Sequence, residues 1–136
     1  GDLSAIIIRN LPIWVQLKRS PSISTALLED WEKKIEKIVH ESANQNITSI
    51  SGVPSWTIII INEIMKKMDA KYLTDIWPNL ELYMHGGISF KTYKKSFNNY
   101  IDSKKINYLE LYNASEGFFA IQNESNKSDL LLLLIP

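Results

Sequence analysis

The chain contains no cysteine. That excludes disulfides, thiolate metal sites and a cysteine nucleophile, and it accords with a reducing compartment. Surplus charge is missing as well: 15 Lys and Arg balance 15 Asp and Glu, for a formal net charge of +0. No overall field draws such a chain to nucleic acid or to an anionic membrane, and neither is expected as a partner. The apolar runs "TIIII" and "LLLLLI" fall far short of the ~20 residues of a membrane helix. No N-terminal stretch has the regions of a signal peptide, so the Asn-x-Ser/Thr matches at Asn46, Asn113, Asn123 and Asn126 read as chance. The expected location is the cytoplasm. Absent too are a glycine-rich loop with a lysine for a triphosphate, the G-x-S-x-G elbow of a serine hydrolase, and any histidine in metal-ligand spacing. His40 reads as a charge partner for a helix C-terminus.

What is present is ordinary for one globular domain: 136 residues, 45% hydrophobic and 22% charged, enough to bury a core. The chain opens "GDLSAIII" and closes "SDLLLLLIP", a strand-like run with nothing after it to pair with. This leads to the expectation that residues 1–136 are one α/β fragment of a longer protein.

Periodicity supplies the elements. Residues 4–8 are a short apolar run. Leu27, Leu28, Trp31, Ile35, Ile38 and Val39 recur at helical spacing and predict a single helix from Ser24 to Glu41, ended by "ESANQN". Residues 47–51 alternate as a strand does, and Ser55 is expected to cap a largely buried helix through Trp56, Ile60, Ile64 and Met68. After a turn at Trp77-Pro78-Asn79, Leu80 to His85 alternates again, with the Leu and Met positions on one side and Tyr83 and His85 on the other. A helix at 93–101, a strand ending at Tyr112, a strand at 117–122, the turn "NESNKSD" and a strand at 130–135 complete the reading. Strand, helix, strand, helix, strand predicts an α/β fold with a mostly parallel sheet, flanking helices and a C-terminal antiparallel hairpin.

Apart from residue 1, the glycines (Gly52, Gly86, Gly87, Gly117) each fall just after a predicted strand or just beyond the polar step that follows one. Ligands of open α/β sheets bind outside the carboxyl ends of the strands, where glycine lets backbone approach closely. Three loops, "SGVPSW", "HGGISF" and "YNASEG", are thus candidates to surround one pocket. Their chemistry suits a nucleotide. Tyr112 offers a ring on which a purine can stack, Gly86 and Gly87 offer bare backbone to a base edge, Ser115 a hydroxyl to a phosphate, and Glu116 a hard oxygen for Mg²⁺. By themselves, Tyr112 is equally a half-buried strand residue and Glu116 a solvated turn charge. The stretch could hold a base and part of a phosphate but could not complete a reaction.

"GVPSW", "WPNLELYMHGGISFKTY" and "YNASEGFFAIQ", in this order, resemble the auxin-responsive acyl-acid–amido synthetases and their bacterial relatives, within the adenylate-forming ligases. "RNLPIWVQLKRSPSI" and "LLEDWEKKIEKI" are similar to that family as well, so the resemblance spans nearly the whole chain. It implies that the fragment is part of a larger adenylate-forming N-terminal domain, with the triphosphate loop before it and a third nucleotide motif and mobile C-terminal domain after it. It also implies ATP and Mg²⁺ as cofactors, and a carboxylic acid and an amine or amino acid as small-molecule partners. The superfamily signature Tyr-Gly-x-Thr-Glu is matched by "YNASE". The resemblance thereby implies Tyr112 as the adenine-stacking ring, Asn113 and Ala114 as nucleotide-binding backbone, Ser115 near the α-phosphate, and Glu116 as catalytic Mg²⁺ ligand. Asn113 stands where the wider superfamily has glycine. Gly86, Gly87 and Ile88 resemble the adenine-edge loop, and Trp56 the border of the acyl substrate.

The function expected on this basis is an ATP-dependent ligase that makes an acyl-adenylate and passes the acyl group to an amine. The alternatives are an acyl-CoA-forming ligase with the same first half-reaction and a non-catalytic nucleotide-binding domain. Without the triphosphate loop, the 136-residue piece alone is expected to be inactive.

Overall fold

In a computed structural model the protein is α/β, with residues 3–101, 106–114, 116–124, 127 and 129–133 described. Helices α1 (Leu3–Arg9), α2 (Ile13–Gln16), α3 (Ile23–Ala26) and α4 (Trp31–Ser42) precede β1 (Ser49–Ser51). Then follow α5 (Pro54–Met68), α6 (Leu73–Ile76), β2 (Leu82–Gly86), α7 (Lys91–Tyr100), β3 (Asn107–Ala114), β4 (Gly117–Gln122) and β5 (Leu130–Leu132). The sheet runs β1-β2-β3-β4-β5 in chain order. β1, β2 and β3 are parallel, and β4 and β5 add antiparallel strands beside β3. The expected fold class and C-terminal hairpin are observed.

Four local expectations are corrected. The helix expected over 24–41 is two helices, because Ser22 and Asp30 each act as an N-cap. Ser22 Oγ accepts from the Thr25 amide, and the Asp30 carboxylate accepts from the Lys33 amide at 3.1 Å. Ser55 does not cap α5: Pro54 takes the first helical position, where a fixed φ and a missing N–H cost nothing, and Val53 is the N-cap. Only Pro54, Thr57, Ile61 and Ile64 of α5 are buried, while Trp56 and Met68 lie in solvent. The strand expected to end at Tyr112 continues through Asn113 and Ala114, since Ala114 pairs with Gly117 across a hairpin connected by residues 115–116.

The core lies on one side of the sheet. The helices of the two crossovers, α5 between β1 and β2 and α7 between β2 and β3, pack against each other on the same face. Beneath them Tyr83, Phe90, Phe97, Ile61, Ile64, Leu73, Trp77 and Leu80 form one buried cluster. On β2 it is Tyr83 and His85 that are buried, whereas Leu82 and Met84 are half-buried on the opposite face, the reverse of the simplest reading of the alternation. The indole of Trp77, expected in a turn, is buried and donates to the Ser42 carbonyl at 3.1 Å, tying α6 to the end of α4.

Candidate functional site

The three glycine-bearing loops follow the carboxyl ends of three adjacent parallel strands, so the topology brings them to one rim. Contact between the first two is direct. The Gly52 amide donates to the Met84 carbonyl at 3.1 Å, and Val53 Cγ2 lies 3.4 Å from where a Cβ would stand on Gly87. Gly87 has φ 80, a left-handed conformation that glycine adopts without strain. At Gly86 the constraint is space, because a Cβ there would overlap the Leu111 carbonyl of β3.

Between the loop after β2 and the face of β3 lies a cleft of about 220 Å³, lined by Gly87, Ile88, Ser89, Glu110, Leu111, Tyr112 and Leu130. Three of the residues singled out in the sequence (Gly87, Ile88 and Tyr112) thus share one cavity. The Tyr112 ring is 53% exposed and leans on Phe119 at 5.8 Å, which leaves one side of it open to a planar ligand. The volume is below the ~300–1,000 Å³ of pockets that take a whole drug-sized molecule, so it suits a base better than a complete nucleotide.

The other expected residues sit around this cleft. Gly86 ends β2 beneath it, with Asn113 Oδ1 3.5 Å from its Cβ direction. Asn113 and Ala114 close β3. Glu116 is exposed in the hairpin connection, four residues beyond Tyr112 and not in the cleft lining. Ser115 lies outside the described residues. Trp56, in the first turn of α5, packs edge-to-face on Trp31 at 4.5 Å and is 52% exposed, apart from the cleft. Among the described residues no three His, Asp or Glu side chains cluster as a metal site. A larger, open cleft of about 590 Å³ lies at the opposite, amino ends of the strands, between the chain at 43–46 and 68–78, and contains none of the expected residues.

Sequence reasoning missed Ser89, Glu110, Leu111 and Leu130 in the lining, and two buried groups behind it. Tyr83 is fully buried, and its hydroxyl donates to the Gly52 carbonyl at 2.9 Å. Burial pushes its pKa up to about 12, so it remains a donor at any physiological pH. His85 stacks on Phe90 at 4.2 Å, and its Nδ1 has no partner among the described residues. Burial lowers its pKa to about 4, so it is neutral and carries no charge to the rim. Alternation alone signalled that Tyr83 and His85 share a side; only the crossover handedness tells which side is covered.

Residues 1–106 match the model of the GH3 family N-terminal domain. The chain belongs to the GH3 family. That family includes acyl-adenylate-forming amido synthetases, which makes ligase the coarse functional class of this GH3 chain. The match ends just before β3, so Tyr112, Ser115 and Glu116 lie beyond it. A search of the curated proteins and of the solved structures finds no match to this GH3 chain. Among the described residues no helix is long and apolar enough to cross a membrane.

Proposed function

We propose that this chain is part of the adenylate-forming domain of a cytoplasmic GH3 ligase. The intact enzyme activates a carboxylic acid with MgATP, releases pyrophosphate, and transfers the acyl group from the adenylate to an amine, an amino acid being the acceptor. The observation that carries this reading is the cleft that Gly87, Ile88 and the exposed Tyr112 line together. A purine stacked on Tyr112 would gain roughly 1–3 kcal/mol. Its edge would meet the backbone at Gly87, which has no side chain, beside the apolar Ile88, and the buried, neutral His85 adds no competing charge.

The phosphates would then extend toward the hairpin, past Ser115 to Glu116. A single exposed carboxylate there fits Mg²⁺ held through one protein oxygen, substrate phosphates and water, and does not fit an all-protein metal cage. When bound, the ion would neutralise charge developing on the phosphates. The chain's own residues do the rest: Tyr112 orients the base, Ser115 donates to the phosphate and Trp56 borders the acid. The 136-residue piece, without a triphosphate loop, would be inactive alone.

Glu116→Gln in the full-length protein tests the catalytic assignment by Mg-dependent pyrophosphate release. The expected loss is on the order of a hundredfold, the scale of one electrostatic stabiliser. Release at the parent rate would remove Glu116 from the mechanism, and a parent that releases none is a binding domain.

A further inference from the structure

We infer that Tyr83 positions the glycine wall of the cleft: its hydroxyl fixes the loop after β1, and that loop braces the loop after β2. The role is defined by contacts within the chain, and only its ligand readout rests on the nucleotide reading above.

The Tyr83 ring cannot shift. It is fully buried, stacked near-parallel on Phe97 at 4.8 Å, with Phe90 and Tyr108 edge-on at 5.8 and 6.3 Å. Its hydroxyl donates to the Gly52 carbonyl at 2.9 Å, with Thr57 Oγ1 3.3 Å away. Thr57 Oγ1 in turn donates to the Val53 carbonyl at 3.0 Å. Two buried hydroxyls therefore set two consecutive carbonyls of one loop, whose Gly52 amide is also held by Met84.

That loop reaches Gly87 through the Val53 side chain, whose Cγ2 lies 3.4 Å from where a Cβ would stand there. Gly87 begins the stretch Gly87–Ser89 that walls the cleft opposite Tyr112. The plainer account, that a buried phenol needs some partner, explains one hydrogen bond. It does not explain why the bond ends on the backbone that touches the cleft's wall.

Tyr83→Phe keeps the ring and its packing and deletes the hydroxyl alone. In the full-length protein, amide hydrogen exchange over residues 52–57 and 86–89 is measured together with MgATP affinity by calorimetry. Exchange is expected to rise about three- to tenfold in both segments, the scale of one lost hydrogen bond, with α4 and β3 unchanged. MgATP affinity is expected to fall by a similar factor. Thr57→Val should behave in the same way, and Thr57→Ser should restore the parent pattern; if Tyr83→Phe does not fold, this pair decides.

Loosening confined to 52–57 overturns the inference, because the loops are then uncoupled. So does a uniform rise through the whole domain, or unchanged affinity in a parent that binds MgATP. If the parent binds no MgATP but both segments loosen together, the positioning role stands and the nucleotide reading falls.

Discussion

The parallel and antiparallel parts of the sheet are built to different standards. Around β2, side chains such as Tyr83 and Phe97 are fully buried under two helices. Along β4 and β5, Phe118, Leu130, Leu131 and Leu132 are 40–58% exposed, and every residue of β5 is exposed. The cleft lies where the two parts meet, with one wall from the exposed loop Gly87–Ser89 after β2 and the other from Tyr112 and Leu130.

This contrast is sharpest in stability. Phe97→Ala should cost about 3–5 kcal/mol, since it empties the stack beneath Tyr83. Leu131→Ala should cost about 0.5 kcal/mol or less, as expected for a side chain already in solvent. Urea unfolding of both variants compares them directly, and equal losses would remove the distinction between the two parts.

Acid probes the buried side of β2 through His85. At pH 7 His85 is neutral both folded and unfolded. Between about 6.5 and about 4 the unfolded chain binds a proton that the buried imidazole refuses, so stability falls through that window and levels off below it. The total is on the order of 3 kcal/mol. His85→Phe should flatten that part of the stability–pH curve; an unaltered curve would mean that the imidazole is hydrated in the folded state.

Closer to the seam, Gly86→Ala forces a methyl against the Leu111 carbonyl and should destabilise by about 1–3 kcal/mol. Gly87→Ala, where the cost is a positive φ rather than a clash, should lose about 1 kcal/mol. Thermal melts that rank the pair in the opposite order would show that β2 and β3 can spread.

Much of this was legible in the sequence because helical and strand periods differ strongly. Alternation at 80–85, glycines near strand ends and the aromatic run of β3 placed the rim and brought Gly87, Ile88 and Tyr112 to it. What was hidden depended on partners distant in the chain. A hydrophobic period through residues 24–41 carries no sign that the Asp30 carboxylate will cap Lys33 and start a new helix. Asn113 and Ala114 look like turn residues until Gly117 and Phe118 pair with them. Alternation puts Tyr83 on the side opposite Leu82 without saying which side is buried, and its place in the core follows from which face α5 and α7 cover. Leu130 enters the cleft only because β4 and β5 fold back beside β3.

The central claim is that Tyr112 and the Gly87–Ile88 backbone together hold a purine. Calorimetry of MgATP with the full-length parent, Tyr112→Phe and Tyr112→Ala tests it most directly. The account predicts affinity close to the parent's for Phe, which keeps the ring, and a loss of about tenfold or more for Ala. Equal affinity in all three proteins would contradict it.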